Sequence, residues 1–154
     1  MTSAALTSTC VPSRISPLAR TDTEVTRVLG MLERIASGLG VRIIEAEPPE
    51  GKGCYTHQSG LIVLAPWLSH REKVGTLGHE LGHAIAGDEA VEDPRFAARQ
   101  ERAADQFAAR LLINRREVEI AEHAYGPNWP KIAHELGVTE HLLDVWIEMH
   151  TSRN

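Results

Sequence analysis

The chain has little cysteine, few aromatics and no long apolar run. Its two cysteines, Cys10 and Cys54, are not spaced as a metal knuckle, and Cys10 sits in a Ser/Thr/Pro-rich stretch. A disulfide framework is therefore not expected, and a reducing cytoplasm is the setting that fits. The most apolar uncharged stretch, residues 59–69, has 11 residues, where a membrane span needs about 18 or more. The first residues lack a basic start followed by an apolar core, so neither a secretory signal nor a membrane association is expected. Basic excess is missing too. Lys and Arg number 16 against 21 Asp and Glu, and the net charge of -5 gives no general attraction to nucleic acid or to anionic lipid.

What remains is ordinary globular composition, 42% hydrophobic and 24% charged in 154 residues, enough for one domain with a real core. Residues 1–20 mix small polar residues with Pro12 and Pro17 and show no period, which reads as a loosely attached or disordered tail. A single domain is expected over 21–150, with 151–154 as a C-terminal tail.

Periodicity places the elements. Val25, Val28, Leu29, Leu32, Ile35, Ala36 and Leu39 recur at threes and fours, predicting a core-facing helix from Thr21 or Asp22 to a Gly40 cap. Residues 41–46 are short and β-branched, and Pro48-Pro49 stops them. Residues 53–57 and 61–65 flank Gln58-Ser59-Gly60 as a hairpin, giving about three strands whose exposed edge offers a place for an extended peptide. Ser69 with Glu72 signs a capped helix that carries Val74, Leu77, Leu81, Ala84 and Ile85 on its apolar face. Gly78 and Gly82 weaken that helix by up to about 1 kcal/mol each relative to Ala, so close approach of a neighbour is expected there. Pro94 opens the next helix, whose face is Phe96, Ala103, Ala104, Phe107, Ala108 and Leu111. Asn114 with Glu117 looks like another capping box, and two short helices separated by Gly137 finish the chain.

The capped helix contains His79-Glu80-Leu81-Gly82-His83. Histidines four apart on a helix share a face and can reach one metal ion. Neutral imidazole suits Zn²⁺, and a carboxylate beside the metal can take a proton from water. A catalytic zinc site takes three protein ligands. A continuous HExxHxxGxxH site would need Gly at 86 and a ligand at 89, where the chain has Ala86 and Glu89. Glu101 and Asp105 fit better, because they lie four apart on the next helix, separated by Ala103 and Ala104. Glu101 can complete the triad, and Asp105 can accept the second ring N–H of a ligand histidine.

HELGHAIAG, then Glu101-Arg102-Ala103-Ala104-Asp105 as ExxAD, then QFAARLLI, resemble the ImmA/IrrE family of small zinc metallopeptidases. The LIVLAP strand and the closing IAHELGVTEHLLDVWI extend the resemblance over roughly residues 25 to 150. Ile113-Asn114 departs from the Pro often found there. The resemblance implies an α+β, zincin-like domain, mostly helical, with a small three-stranded sheet near the HExxH helix. It implies one Zn²⁺ on His79, His83 and Glu101, Glu80 as catalytic glutamate and Asp105 in support. It also implies a protein substrate, a helix-turn-helix repressor often encoded beside the peptidase on phages or mobile elements. Tyr55, His57, His123, Tyr125 and His134 are conceivable oxyanion donors.

Two other readings stand beside it. Residues 131–147 superficially resemble a helix-turn-helix, but residues 126–154 carry two basic against four acidic residues, the wrong balance for phosphate contacts, so direct nucleic-acid binding is not expected. A non-cleaving zinc-binding regulatory module is the stronger alternative, although it would have no use for Glu80.

Overall fold

Thr21 starts the first helix, α1 (Asp22–Gly38), by a reciprocal cap in which its hydroxyl accepts from Glu24 N–H while the Glu24 carboxylate accepts from Thr21 N–H. The computed structural model describes residues 19–151. Expectations for residues 1–18 and 152–154 lie outside the described residues. Arg20, placed in the tail by composition, is held in the fold. Its amide donates to Glu135 O (2.9 Å), and its guanidinium reaches Leu112 O and Glu117.

Three strands follow: β1 (Arg42–Glu45), β2 (Gly53–Thr56) and β3 (Leu61–Leu64). The expected hairpin is β2 with β3, closed by a single 3₁₀ turn, His57–Ser59, and by Gly60 in the left-handed region (φ 54°). The sheet is mixed, because β1 pairs with β3 in parallel and β3 becomes the central strand. That place goes to the strand apolar at every position, whose Ile62 and Leu64 are fully enclosed.

The HExxH helix, α2 (His70–Ala86), has the predicted Ser69–Glu72 capping box and ends at Gly87 in the left-handed region (φ 69°). Glu72 also binds Lys52 (2.7 Å), and these contacts, the Lys52 hydrogen bond foremost, hold its carboxyl down to about 2. Then come α3 (Pro94–Leu112), α4 (Arg115–Tyr125), α5 (Trp129–Leu136) and α6 (Glu140–Thr151). The α4 cap differs from expectation. Asn114 accepts from Arg116 N–H, but Glu117 turns away from the cap to pair with Arg20.

The core lies between α1, the sheet, α2 and α3, with α6 across α3. Leu39, Ile85 and Phe96, expected on core-facing stripes, are exposed, each sitting in an end turn or cap of its helix. The α2–α3 contact is the tight one. A Cβ on Gly82 would stand 2.8 Å from Ala104 Cα, and one on Gly78 would meet Leu112 and Ala108 at 3.1 and 3.4 Å. The two helical glycines thus have the packing reason their low propensity called for.

Gly82→Ala should therefore destabilise the fold by about 1–3 kcal/mol, because the clash is with backbone. Gly30→Ala, whose new methyl meets only the end of Arg34 at 3.6 Å, should stabilise by up to about 1 kcal/mol. Urea unfolding of the two variants checks both signs, and a neutral Gly82→Ala would refute the packing argument.

Candidate metal centre

His79 and His83 stand one turn apart on α2 with their Nε2 atoms 3.1 Å from each other. From α3, Glu101 brings its two oxygens to 3.2 Å from His79 Nε2 and 3.4 Å from His83 Nε2. The opposite nitrogens are tied back. His79 Nδ1 lies 2.8 Å from Asp105 Oδ1, and His83 Nδ1 lies 2.8 Å from Asp88 Oδ2. Ionised carboxylates only accept, so each Nδ1 carries the proton and each Nε2 turns a lone pair inward. Three Lewis-basic groups therefore converge on one point, an arrangement that asks for a cation. Donors about 2.0–2.1 Å from a tetrahedral zinc ion sit about 3.3–3.4 Å apart, and the separations here, 3.1, 3.2 and 3.4 Å, lie close to that spacing. The residues present fit a metal ion.

Burial disfavours a charged His79, but the Asp105 hydrogen bond and the charges of Glu80, Asp105 and Glu101 outweigh it and raise its pKa. Burial likewise works to raise Asp105, yet its hydrogen bonds to His79 and His141 win and lower it.

Glu80 is buried against the same centre. Burial is the main cause that lifts its carboxyl above the ordinary range; His79 and His83 oppose the shift, Glu101 adds to it, and a hydrogen bond from the Tyr55 backbone N–H opposes it. Gly53 makes room for this side chain. A Cβ there would lie 2.5 Å from Thr76 Cγ2 and 3.1 Å from Glu80 Oε1.

These groups line a cavity of about 600 Å³ between β2, α2, the α2–α3 loop, α3 and the start of α6. Of the conceivable oxyanion donors, Tyr55 lines it, and its phenol is 3.2 Å from His57 Nδ1. His57 stands beside it, 3.9 Å from Glu89. Tyr125 does not line the cavity. It ends α4 and packs against the core, with the Lys131 ammonium 5.4 Å from its ring. His123 and His134 are exposed and line no part of the cavity either.

Sequence reasoning missed three residues here: Asp88, Gly53 and His141. Asp88 had a local signal, since it follows the left-handed Gly87 where the chain folds back on the last turn of α2. His141, whose Nε2 is 2.9 Å from Asp105 Oδ2, had none, because α6 brings it from 36 residues away.

A peptidase family model, described as the IrrE N-terminal-like domain, matches residues 36–147, a span that holds every residue of this centre. The chain belongs to the ImmA/IrrE family. A Mycobacterium tuberculosis transcriptional regulator has a similar fold, with a TM-score of 0.56 at 15% identity over 82% of this ImmA/IrrE chain and 44% of that one. The chain thus spans less than half the length of that regulator. Among curated proteins no sequence match is found. No helix among the described residues is long and apolar enough to cross a membrane.

The His79–Asp105 pair gives the metal-free domain a bounded pH window. Asp105, lowered from 3.8, contributes stability present above 3.8 and lost as pH falls through its folded value. His79, raised from 6.5, contributes stability that is full below 6.5 and lost as pH rises through its folded value. In EDTA, Asp105→Ala should lower Tm most between pH 3.8 and 6.5. An equal loss at about pH 5 and about pH 9 in thermal scans would overturn this linkage.

Proposed function

We propose that the protein is a zinc-dependent endopeptidase that cleaves a helix-turn-helix transcriptional repressor at a specific site. The observation that carries the peptidase reading is the inward set of two imidazoles and one carboxylate with a buried, separate carboxylate beside it. A closed structural site would have no use for that fourth group. The donor set of two imidazoles and one carboxylate favours zinc over magnesium or calcium, which take oxygen ligands.

His79, His83 and Glu101 would hold the ion, which when bound supplies the positive charge that acidifies water and polarises a peptide carbonyl. Asp105 and Asp88 keep the protons on Nδ1 and fix the ring orientations. Glu80 accepts a proton at its carboxylate as the scissile bond is attacked and returns it to the leaving amine. Its raised pKa suits a group that must hold that proton between the two steps. Tyr55, which lines the cavity, is the best-placed oxyanion donor, with His57 orienting it. Lys52 and residues 53–55 of the edge strand β2 line the same cavity, so an extended segment of substrate can lie along them. The repressor as substrate rests on the family resemblance, and a repressor encoded beside this gene is the one to test.

Glu80→Gln should keep the metal and lower turnover of such a repressor by about 10²–10⁴-fold. Incubating the zinc-loaded protein and the variant with the repressor, with cleavage followed by mass spectrometry, is the check. Full activity in the variant refutes the assignment. Tight binding without cleavage by either form would instead favour the regulatory module.

A further inference from the structure

Asp105 faces two histidines. Its Oδ1 accepts from His79 at 2.8 Å, and its Oδ2 accepts from His141 at 2.9 Å. We propose that His141 is a positioning residue of the metal centre, acting through Asp105 to fix the tautomer and ring plane of His79. The proposal rests on the metal-centre reading above.

A carboxylate on one methylene can rotate about its side-chain bonds, and a single hydrogen bond leaves that rotation soft. A donor on the second oxygen removes it. Asp105 then presents Oδ1 to His79 in one orientation, which holds the proton on His79 Nδ1 and aims Nε2 at the point shared with His83 and Glu101. His141 is itself well anchored for this task. It is the second residue of α6, whose start is held by Leu142 N–H on the Thr139 hydroxyl (3.3 Å), and α6 is fastened by buried Leu142, Leu143 and Trp146. The Leu142 side chain also packs on α2 at Gly75, where a Cβ would lie 3.3 Å from Leu142 Cδ1. The histidine is thus carried by an element that touches both helices of the site.

The alternative is an ordinary surface ion pair. The His141 side chain is 67% exposed, and an exposed pair of this kind contributes little to stability. The two roles therefore separate. A surface pair would leave metal binding untouched, whereas a positioning residue changes it with little change in the apo fold. Loss of a carboxylate that directly braces a ligand histidine lowers metal affinity by about 10–100-fold. His141 acts one bond network further out, so a loss of about 3–10-fold is expected.

The test uses the full chain with Co²⁺ alone, titrated by its visible absorption bands, and with Zn²⁺ in competition against a chromophoric chelator. His141→Ala should weaken both ions and alter the Co²⁺ band intensities, while the Tm in EDTA stays near that of the unmodified protein. His141→Gln, whose amide N–H can replace the Nε2 donor, should restore affinity and spectrum. Unchanged affinity in His141→Ala overturns the proposal, as does a weakening that His141→Gln fails to rescue, or one matched by an equivalent loss of apo stability. His79→Ala serves as the control for the site. If the unmodified protein takes up neither ion, the metal-centre reading and this proposal fall together; uptake that is indifferent to His141 overturns this proposal alone.

Discussion

The approach of α3 to α2 is the constraint on which the site depends. Two imidazoles come from α2 and two carboxylates from α3, and the Asp105 side chain is too short to bridge a wide gap. Ordinary helix pairs keep their axes about 8–10 Å apart, set by the side chains at the contact. Here the α2 side of that contact is reduced to hydrogen at Gly78 and Gly82, and the α3 side to methyl at Ala104 and Ala108. Gly78 immediately precedes His79 and Gly82 immediately precedes His83, so the residues that let the backbones meet are interleaved with those that need them to. The helical propensity lost at two positions is offset by a contact that no larger residue allows.

Much of this was legible because it is local. Ser69 with Glu72, the histidines at 79 and 83, Pro94 and the Glu101/Asp105 spacing are all read within one or two helical turns, where period and capping chemistry act. The α2 and α3 helices therefore start where expected, and Gly78 and Gly82 declared a close contact by their misfit. What escaped depends on chain reversal or distant packing. The parallel pairing of β1 follows from β3 being the most apolar strand, a comparison between strands that no single strand reveals. Glu117 fits a capping box by spacing, but Arg20, 97 residues away, takes its carboxylate. Gly53 reads as a strand-end glycine until the Glu80 side chain is seen lying where its Cβ would be.

Burial and partners put four carboxylates of one centre in three different settings. Glu101 is open to the cavity and turns its oxygens toward the two Nε2 atoms. Asp88 and Asp105 are each locked to an Nδ1, which in the neutral ring leaves the inward nitrogen as the one with a free lone pair. Glu80, buried, resists ionisation. The pKa values of His79 and Glu80 are both raised, but for different reasons: burial lifts Glu80, whereas the Asp105 hydrogen bond and the surrounding carboxylates lift His79 against its burial.

The α5–α6 pair shows how one sequence pattern supports two meanings. Two short helices about Gly137 look like a DNA reader, and the geometry is indeed a helix pair with a tight turn, Gly137 being left-handed (φ 65°). Yet the residues that make the turn and the second helix are committed inward. Arg20 packs on Gly137, Lys131 pairs with Glu135 at 2.7 Å, and Leu142, Leu143 and Trp146 are buried. With its apolar face spent on α3 and α2, α6 turns its first residues to the cavity, and His141 arrives at Asp105. The segment whose sequence resembles a nucleic-acid reader thus forms one wall of the candidate metal centre.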